Sequence, residues 1–419
     1  MASGVVHIIG AGLAGLAAAV RLITMGVPVT VYEATSQAGG RCRSYHDPTL
    51  DMRIDNGNHL VLSGNREALA YLDTIGARDR LSGPARAHFP FVDLATGERW
   101  TLRANDGRLA WWILSPSRRV PGTRTRDYLA LLRLLRPSPK ATIGEVLRCE
   151  GPLYQRLVGP LLLAALNTEP PQGSAALAGA VIRETLAVGG RNYHPLIAQD
   201  GLSSAFVDPA LSFIEKKGGT VAFGQRLQAI AYDGDRATSL DFGNAKTALA
   251  KDDRVILAVP PVVAGALLPA LETPTEFRAI VNAHFRLAPP PGLAPMIGVV
   301  NGLVEWLFAF PDRLSVTISG ADRLLDIPRE ELAAQIWRDV QKIAGIVTPM
   351  PAWQIVREKR ATFAALPVED AKRPGPRTRW RNLFLAGDWT ATGLPATIEG
   401  AIRSGNRAAK LVQSGQRDG

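Results

Sequence analysis

A glycine-rich turn between two apolar segments near the start constrains the fold more than any other feature of the chain. Residues 5–9 form a short apolar run of the kind that makes a buried parallel strand. A turn with the spacing G-x-G-x-x-G follows, formed by Gly10, Gly12 and Gly15. The Ala- and Leu-rich segment 14–25 predicts a helix, and a second apolar run, 27–32, ends at Glu33. This order predicts an α/β fold that opens with a dinucleotide-binding unit.

The residue types in this unit each have a physical role. The first glycine permits a tight turn, the second lets the backbone approach a pyrophosphate, and the third lets the helix pack against the strand. The helix N-terminus then offers N–H groups and a positive dipole end to the phosphates. Glu33 lies where an acid binds a ribose hydroxyl, which argues against a 2′-phosphate. The predicted dinucleotide contacts are therefore Gly10, Gly12, Leu13, Ala14, Gly15 and Glu33. The alternative is a glycine-rich turn without a ligand.

Length and composition limit the possible classes of protein. A chain of 419 residues with 46% hydrophobic and 21% charged residues is globular, and its length is typical of two interleaved domains. Cys42 and Cys149 form no C-x-x-C pair, so we expect a reducing compartment, no disulfide framework and no metal site. We find no signal peptide and no apolar run long enough to cross a membrane. The apolar segment 157–166 is too short for this, and we interpret it as a core or substrate-channel helix.

Positive charge is concentrated in one segment, residues 108–140. This window holds eight basic residues and one acid, Asp127, and the whole chain has a net charge of +10. It also contains Leu-rich stretches and two adjacent tryptophans, Trp111 and Trp112, a residue type that suits the headgroup level of a bilayer. We predict docking on an anionic membrane surface, hence a cytoplasmic protein peripheral to the inner membrane. The alternative is a solvated basic face over a core helix. No nucleic-acid motif accompanies the charge, so we expect no nucleic-acid partner.

Three short segments resemble the flavoprotein superfamily of phytoene desaturases and amine oxidases: GGR at 39–41, LAGD at 385–388 and ATIEGAIRSG at 396–405. The resemblance implies that the dinucleotide is FAD. It implies FAD contacts at Gly40 and Arg41, at Gly387 and Asp388 near the ribityl and phosphate groups, at Thr397 and Ile398 where a helix N-terminus faces the flavin ring, and a backbone contact to adenine at Leu227.

The superfamily resemblance also implies an interleaved chain. A Rossmann-like FAD-binding domain is expected from residues 1–70, 200–262 and 375–419. A mixed α+β substrate domain is expected from residues 71–199 and 263–374, with a helical part that faces the membrane. The segment 327–345 has apolar residues near helical spacing and predicts an amphipathic helix.

Other segments resemble one branch of the superfamily, the squalene-associated FAD enzymes known as the hydroxysqualene dehydroxylase family. These segments are RIDNGNHLVLSG at 53–64, ALNTEPPQGSA at 165–175 and REKRATFAA at 357–365. The resemblance runs along the whole chain and is densest at its two ends. It implies reductive removal of the allylic hydroxyl of hydroxysqualene, which gives squalene and water in squalene and hopanoid biosynthesis. Reduced flavin would deliver hydride from N5, and the protein would supply a proton to the leaving oxygen.

The branch-matching segments carry the predicted site residues. Asp55, His59 and Glu169 are predicted proton donors, although His59 has a structural role as its alternative. Gly57 and Asn58 are expected near the flavin. Asn167 and Thr168 either bind the substrate hydroxyl or end a helix before the two prolines that follow. Glu399 is expected to cap or fix the last helix, with proton donation as its alternative.

Two rival functions stay open on the sequence alone. The first is an oxidative enzyme on the same scaffold, either a carotenoid-type desaturase or an amine oxidase. The second is a membrane-docked isoprenoid-binding protein that keeps FAD only as a structural part. We see no second G-x-G-x-x-G after a strand, so no NAD(P)H domain is evident. For the reductive reaction we therefore expect a separate electron donor.

Overall fold

The described chain opens with the strand, turn, helix and strand that the glycine-rich motif predicts. In the computed structural model, which describes residues 4–414, strand β1 (Val6–Ile9) leads into helix α1 (Leu13–Thr24), and β2 (Val29–Tyr32) follows. β1 is buried along its whole length, and α1 is buried on nearly every side. An Ala- and Leu-rich helix without a polar face belongs in a core.

The other elements follow in chain order. The strands are β3 (Ser44–Asp47), β4 (Met52–Asp55), β5 (Val61–Leu62), β6 (Leu81–Ser82), β7 (His88–Asp93), β8 (Arg99–Arg103), β9 (Pro195–Ala198), β10 (Thr220–Ala222), β11 (Ala229–Asp233), β12 (Arg236–Asp241), β13 (Lys246–Ala248), β14 (Arg254–Leu257), β15 (Phe277–Phe285), β16 (Met296–Val300), β17 (Trp306–Ala309), β18 (Leu314–Ile318), β19 (Trp353–Phe363) and β20 (Leu383–Leu385). The helices are α2 (Arg66–Ile75), α3 (Ile143–Val146), α4 (Gly159–Leu166), α5 (Ala175–Glu184), α6 (Asp208–Lys216), α7 (Pro261–Leu267), α8 (Arg329–Ala344), α9 (Pro367–Ala371) and α10 (Ile398–Ser414).

A five-stranded parallel sheet organises the first unit. Its order is β10-β2-β1-β14-β20, so neighbouring strands come from widely separated parts of the chain. Helix α10 packs closely on α1, because a Cβ atom on Gly405 would lie 2.1 Å from the carbonyl oxygen of Ala14. The predicted α/β architecture with an interleaved chain is confirmed.

A seven-stranded mixed sheet, with the order β19-β15-β18-β17-β16-β7-β8, forms the second unit. Alternate residues of its strands face opposite sides. One side packs on α8, which confirms the predicted amphipathic helix and buries Leu332, Ile336, Val340 and Ile343. On β15 the other residues, Asn282 and His284, contact the loop at residues 55–58. The smaller sheets are β11-β12-β13, β3-β4 and β5-β9-β6.

The proposed domain limits (1–70, 200–262 and 375–419 against 71–199 and 263–374) stay a prediction. The limit at residue 70 falls inside α2, whose buried residues Ala68, Leu69 and Leu72 belong to the same core as α1. In the apolar segment 157–166, a π-helical turn, Tyr154–Val158, leads into the short helix α4. Among residues 4–414, no helix is both long enough and apolar enough to cross a membrane.

Candidate active site

The glycine-rich turn has the shape that a pyrophosphate requires. Gly10 has φ +106°, and a Cβ atom there would lie 2.5 Å from the carbonyl oxygen of Ala258. A Cβ atom on Gly15 would lie 1.9 Å from the carbonyl oxygen of Gly10, so helix and strand meet at backbone distance. At Gly12, by contrast, an added Cβ atom meets nothing within 4 Å, and this residue precedes α1 without a side-chain cap. The backbone is open on that side, where its N–H groups can bind an anion.

The predicted acid lies at this turn. Glu33 follows β2, and its carboxylate accepts from the backbone N–H of Ala11 at 2.9 Å and from Thr35 at 3.0 Å. A carboxylate has further lone pairs available for a ribose hydroxyl. The side chains of Leu13 and Ala14 are buried, so these residues present only backbone N–H groups to a ligand. Leu227 is also buried, and it lies in the segment that precedes β11. This segment contacts Glu33, because the N–H of Gln225 donates to the carbonyl oxygen of Glu33.

The GGR segment lies over the same turn and reaches the C-terminal motif. Gly40 has φ +56°, and a Cβ atom there would lie 3.5 Å from the Gly12 Cα. Arg41 donates from Nη2 to both carboxylate oxygens of Asp388, at 2.7 and 2.8 Å. Gly387 has φ +150° and donates its N–H to Ser404 of α10 at 2.9 Å. The predicted FAD residues from the two ends of the chain therefore meet in one place.

Helix α10 begins at this point. The hydroxyl of Thr397 accepts from the N–H of Gly400 at 3.0 Å, and Ile398 is the first helical residue. Glu399 points elsewhere, because its carboxylate accepts from the N–H groups of Glu67 and Ala68 at 3.2 and 2.9 Å at the start of α2. Glu399 therefore has a structural role, as expected, but its carboxylate caps the start of α2 and not the start of the last helix, α10.

The residues of these two motifs fit FAD. The open backbone at Gly12, the uncapped start of α1 and the acid at Glu33 match a dinucleotide with a free ribose. The start of α10 supplies a second helix N-terminus, whose dipole favours negative charge.

The loop at residues 55–59 joins the two units. Asp55 is 2% exposed, and its carboxylate accepts from the Ser44 hydroxyl at 2.6 Å and from the Leu202 N–H at 2.8 Å. Its carbonyl accepts from Nε2 of His284 at 3.1 Å. The other carboxylate oxygen of Asp55, Oδ2, lies 3.9 Å from Nη2 of the buried Arg313. These structural partners do not favour the predicted role of Asp55 as a proton donor.

The other residues of this loop contact the seven-stranded sheet. The side-chain amide of Asn58 is bound to this sheet, because its Nδ2 donates to the Val316 carbonyl and to the Thr317 hydroxyl at 3.2 and 3.1 Å. A Cβ atom on Gly57 would lie 3.1 Å from Nδ2 of Asn282. Nδ1 of His59 donates to the carbonyl oxygen of Gly57 at 2.9 Å, and burial lowers the pKa of His59. A neutral imidazole held this way can accept a hydrogen bond at Nε2 but is a poor proton donor.

Asn167 and Thr168 serve the end of α4. Asn167 has φ +49° and closes the helix, and its side chain bonds to the Gly320 N–H at 2.7 Å and to the Thr362 hydroxyl at 3.0 Å. The Thr168 hydroxyl accepts from the Ala365 N–H at 2.9 Å, and both residues are buried. Of the two alternatives for this segment, the geometry favours the helix-ending one, because both side chains already have protein partners.

Glu305 is a titratable group that the sequence patterns missed. Its Oε2 accepts from the N–H of Ser319 at 2.8 Å, and burial raises its pKa to about 7. Glu169 adds to this shift. Glu169 itself is exposed and lies beside Gly320, the residue that Asn167 holds. The sequence around Glu305 carries no motif, so only the fold reveals that this carboxyl is buried.

The basic segment 108–140 contains two 3₁₀-helical stretches, Trp111–Leu114 and Thr125–Leu135. Its large exposed apolar side chains are Leu109, Trp111, Leu114, Leu129 and Leu132. Trp112 is buried and packs edge-on against Tyr128, so the expectation that both tryptophans suit a bilayer surface is wrong for this one. Sequence alone does not separate two adjacent tryptophans, because their burial is set by a contact sixteen positions away.

Comparisons with known proteins agree with the motifs. The family described as flavin containing amine oxidoreductase matches residues 13–413. The chain is 58% identical to the hydroxysqualene dehydroxylase of Rhodopseudomonas palustris, over 99% of this chain and 100% of that protein. It is also 58% identical to the hydroxysqualene dehydroxylase of Sinorhizobium fredii, over 98% of both.

Among solved structures, cyclohexylamine oxidase from Brevibacterium oxydans IH-35A superposes with a TM-score of 0.68 at 16% identity, covering 99% of this chain and 100% of that one. At this identity the likeness shows the fold alone, and it confirms the predicted amine oxidase-like fold. The family match confirms the predicted flavin cofactor and oxidoreductase class. The chain therefore belongs to the hydroxysqualene dehydroxylase family of flavin-containing oxidoreductases.

Proposed function

We propose that the chain removes the allylic hydroxyl of hydroxysqualene reductively and so forms squalene. The observation that carries this proposal is the 58% identity to a hydroxysqualene dehydroxylase over 99% of the chain. The meeting of the N- and C-terminal FAD motifs at Arg41 and Asp388 supports it, because the reaction needs a bound redox cofactor.

The reaction exchanges a hydroxyl for a hydrogen. The C–O bond breaks, the leaving oxygen takes a proton to become water, and the carbon takes a hydride. FAD in its reduced form, when bound, supplies that hydride. The protein must hold the polyene, exclude water from the electron-poor carbon and supply the proton.

For the proton we propose the carboxyl pair Glu169 and Glu305. A pKa of about 7 keeps a large fraction of Glu305 protonated at neutral pH, as a general acid requires. Two carboxyls near each other also favour retention of one proton. The other predicted donors are weaker, since Asp55 is held by Ser44 and Leu202, and His59 is neutral.

For the substrate route we propose the apolar region between α4 and the seven-stranded sheet. Phe91 stacks on Trp100 with ring centroids 5.5 Å apart and meets Trp306 at 5.7 Å. Leu162 and other apolar residues of α4 belong to the same cluster. Such a lining suits a hydrocarbon chain, and Glu305 directly precedes Trp306.

We further propose that residues 108–140 dock on an anionic membrane surface, where a squalene-type substrate resides. The exposed Leu129 and Leu132 are three positions apart on a 3₁₀ helix, so they share one side. Exposed apolar side chains among basic residues are the pattern of an interfacial segment. A separate electron donor would reduce the flavin.

An anaerobic single-turnover experiment tests the reaction. The purified protein is loaded with FAD, the flavin is reduced, hydroxysqualene is added, and flavin absorbance is followed with product mass spectrometry. We expect reoxidation with one squalene formed per flavin. An oxidative desaturase would be established instead if hydroxysqualene does not reoxidise the reduced flavin, while squalene or another polyene reduces the oxidised flavin. An absence of any flavin response would favour the lipid-binding alternative.

A further inference from the structure

A cavity of about 410 Å³ opens beside the first exposed part of the basic segment. Its lining includes four basic side chains and one tryptophan: Arg86, His88, Arg103, Arg118 and Trp111. The volume falls in the range of about 300–1,000 Å³ that is usual for small-ligand sites. None of the FAD or proton-donor residues discussed above lines it.

The strand pairing brings positive charges together here. In the β7–β8 hairpin, His88 stands directly opposite Arg103, and the N–H of His88 donates to the carbonyl of Arg86 at 2.8 Å. A positive charge on His88 would therefore be unfavourable opposite Arg103. The pKa of His88 is lowered, first by burial and then by the positive charges of Arg103, Arg86 and Arg118.

The protein does not neutralise these charges. Within residues 4–414, no carboxylate lies within 4.0 Å of the guanidinium group of Arg86, Arg103 or Arg118. The one acid at the cavity, Asp106, lies 3.8 Å from Nε2 of His194 instead. A concave cluster of unpaired arginines matches an anion with several acceptor oxygens, and a phosphate group has this character.

The rim of the cavity indicates what kind of phosphate it fits. Trp111 is 54% exposed and carries Arg118 over its ring at 5.1 Å. Leu109 and Leu114, on either side of it in sequence, are 81% and 66% exposed. An inorganic phosphate ion gains nothing from such apolar neighbours, whereas a phospholipid brings acyl chains and a glycerol backbone to them.

We propose that this cavity binds the headgroup phosphate of an anionic phospholipid and fixes the orientation of the protein on the membrane. The proposal rests on the membrane docking put forward under the proposed function. It assigns part of the attraction between the protein and an anionic membrane to one defined site. Arg86, His88, Arg103 and Arg118 hold the phosphate, while Trp111, Leu109 and Leu114 lie at the level of the lipid backbone.

The test compares two double variants that remove the same charge. R86Q/R103Q changes the cavity, and R133Q/R136Q changes two exposed arginines of the basic segment outside it. Sedimentation with vesicles of phosphatidylcholine alone, and of phosphatidylcholine mixed with phosphatidylglycerol, measures binding of the FAD-loaded protein. We expect R86Q/R103Q to weaken binding to the mixed vesicles about ten-fold more than R133Q/R136Q does. An equal loss of vesicle binding in the two double variants would overturn the proposal, because it would mean that general electrostatic attraction accounts for binding.

A second measurement separates the lipid from a free anion. Calorimetric titration with a short-chain phosphatidylglycerol below its micelle concentration is compared with titration with inorganic phosphate. We expect the lipid to bind at least ten-fold more tightly, and this difference should shrink in W111S. Inorganic phosphate that binds as tightly as the lipid would overturn the proposal.

The single-turnover reaction of detergent-dispersed hydroxysqualene serves as an independent readout on the same samples. It reports the proposed reaction without vesicles. Failure of the lipid site and failure of the dehydroxylase reaction are therefore distinguishable.

Discussion

Arg41 and Asp388 are 347 positions apart, yet Nη2 of Arg41 donates to both oxygens of the Asp388 carboxylate at 2.7 and 2.8 Å. Arg41 also donates to the carbonyl of Ala361, near the end of the long strand β19. The pair joins the segment that follows β2 to the end of β20, and both partners lie in predicted FAD motifs. The ion pair is thus placed to hold together the two halves of the predicted FAD site.

Loss of this geometry should weaken cofactor binding. In R41K a single ammonium replaces a guanidinium that contacts both Asp388 and Ala361, so we expect the Kd for FAD to rise about ten-fold. Flavin fluorescence during titration of the apoprotein measures this. R381K is the matched control, because Arg381 forms an exposed ion pair with Asp235. An unchanged Kd in R41K would mean that the pair has no part in holding FAD.

Gly12 and Gly15 should respond differently to alanine. A methyl group at Gly12 meets no protein atom within 4 Å, so the melting temperature of apo G12A should stay near wild type while FAD binding falls by about ten-fold or more. A methyl group at Gly15 would lie 1.9 Å from the Gly10 carbonyl, so G15A should unfold more easily even without FAD. G375A, also in open space, is the control. Normal FAD affinity in G12A would argue against a pyrophosphate at this turn.

Glu305 should make stability depend on pH. Its pKa is raised from an ordinary 4.5 to about 7 in the folded chain, so its contribution is fully present below pH 4.5 and is lost as the pH rises through 7. The difference in unfolding free energy between wild type and E305Q should change by about 1–3 kcal/mol between pH 5 and pH 8. Urea unfolding at each pH measures it, with E330Q as a control at an exposed site. A constant difference would contradict a raised pKa.

If Glu305 also supplies the proton, the rate of dehydroxylation should depend on the protonation of this carboxyl. Single-turnover dehydroxylation by reduced wild type should slow as the pH rises above about 7, and E305Q should be slower by roughly 10²–10⁴-fold. E169Q should show a smaller loss, since Glu169 is exposed. A wild-type rate in E305Q would mean that another group donates the proton.

Glu399 should contribute stability through helix α2. Its carboxylate is 4% exposed and accepts from two N–H groups at the start of that helix. E399Q keeps one acceptor oxygen and leaves one of the two N–H groups without its partner, which we expect to lower the unfolding free energy by about 1–2 kcal/mol. E150Q is the control, because Glu150 pairs with Arg148 at the surface, where a salt bridge contributes little. An equal change in unfolding free energy in E399Q and E150Q would mean that Glu399 does not cap helix α2.

The exposed leucines should determine the apolar part of membrane binding. L129S/L132S should reduce binding to anionic vesicles about ten-fold or more, since burial of a Leu side chain is worth about 1.5–3 kcal/mol. V347S/V368S removes exposed apolar side chains elsewhere and should bind normally. High salt should reduce the remaining binding of L129S/L132S, because that part is electrostatic. Full binding by L129S/L132S would place the docking surface elsewhere.

The sequence was informative where chemistry is local and less so where it depends on distant contacts. The turn from Gly10 to Gly15 and the acid Glu33 are predictable because one strand–turn–helix unit positions them all. Asn167 and Thr168 are not, because their partners Thr362 and Ala365 are 195 and 197 positions away. Trp111 and Trp112 look alike in sequence, yet only the first is exposed. Glu305 has no motif, and its pKa follows from burial that the seven-stranded sheet creates.

The strand order β10-β2-β1-β14-β20 has a consequence for biosynthesis. Strand β14 pairs with β20, which lies much further along the chain, and α1 is covered by α10, which comes later still. During translation the glycine-rich turn emerges long before α10, the helix that packs most extensively on α1. Contacts of such long sequence separation form slowly. We therefore expect the nascent chain to expose part of the apolar surface of α1 until α10 has been synthesised, so that chaperones and the availability of FAD influence how much active protein a cell obtains.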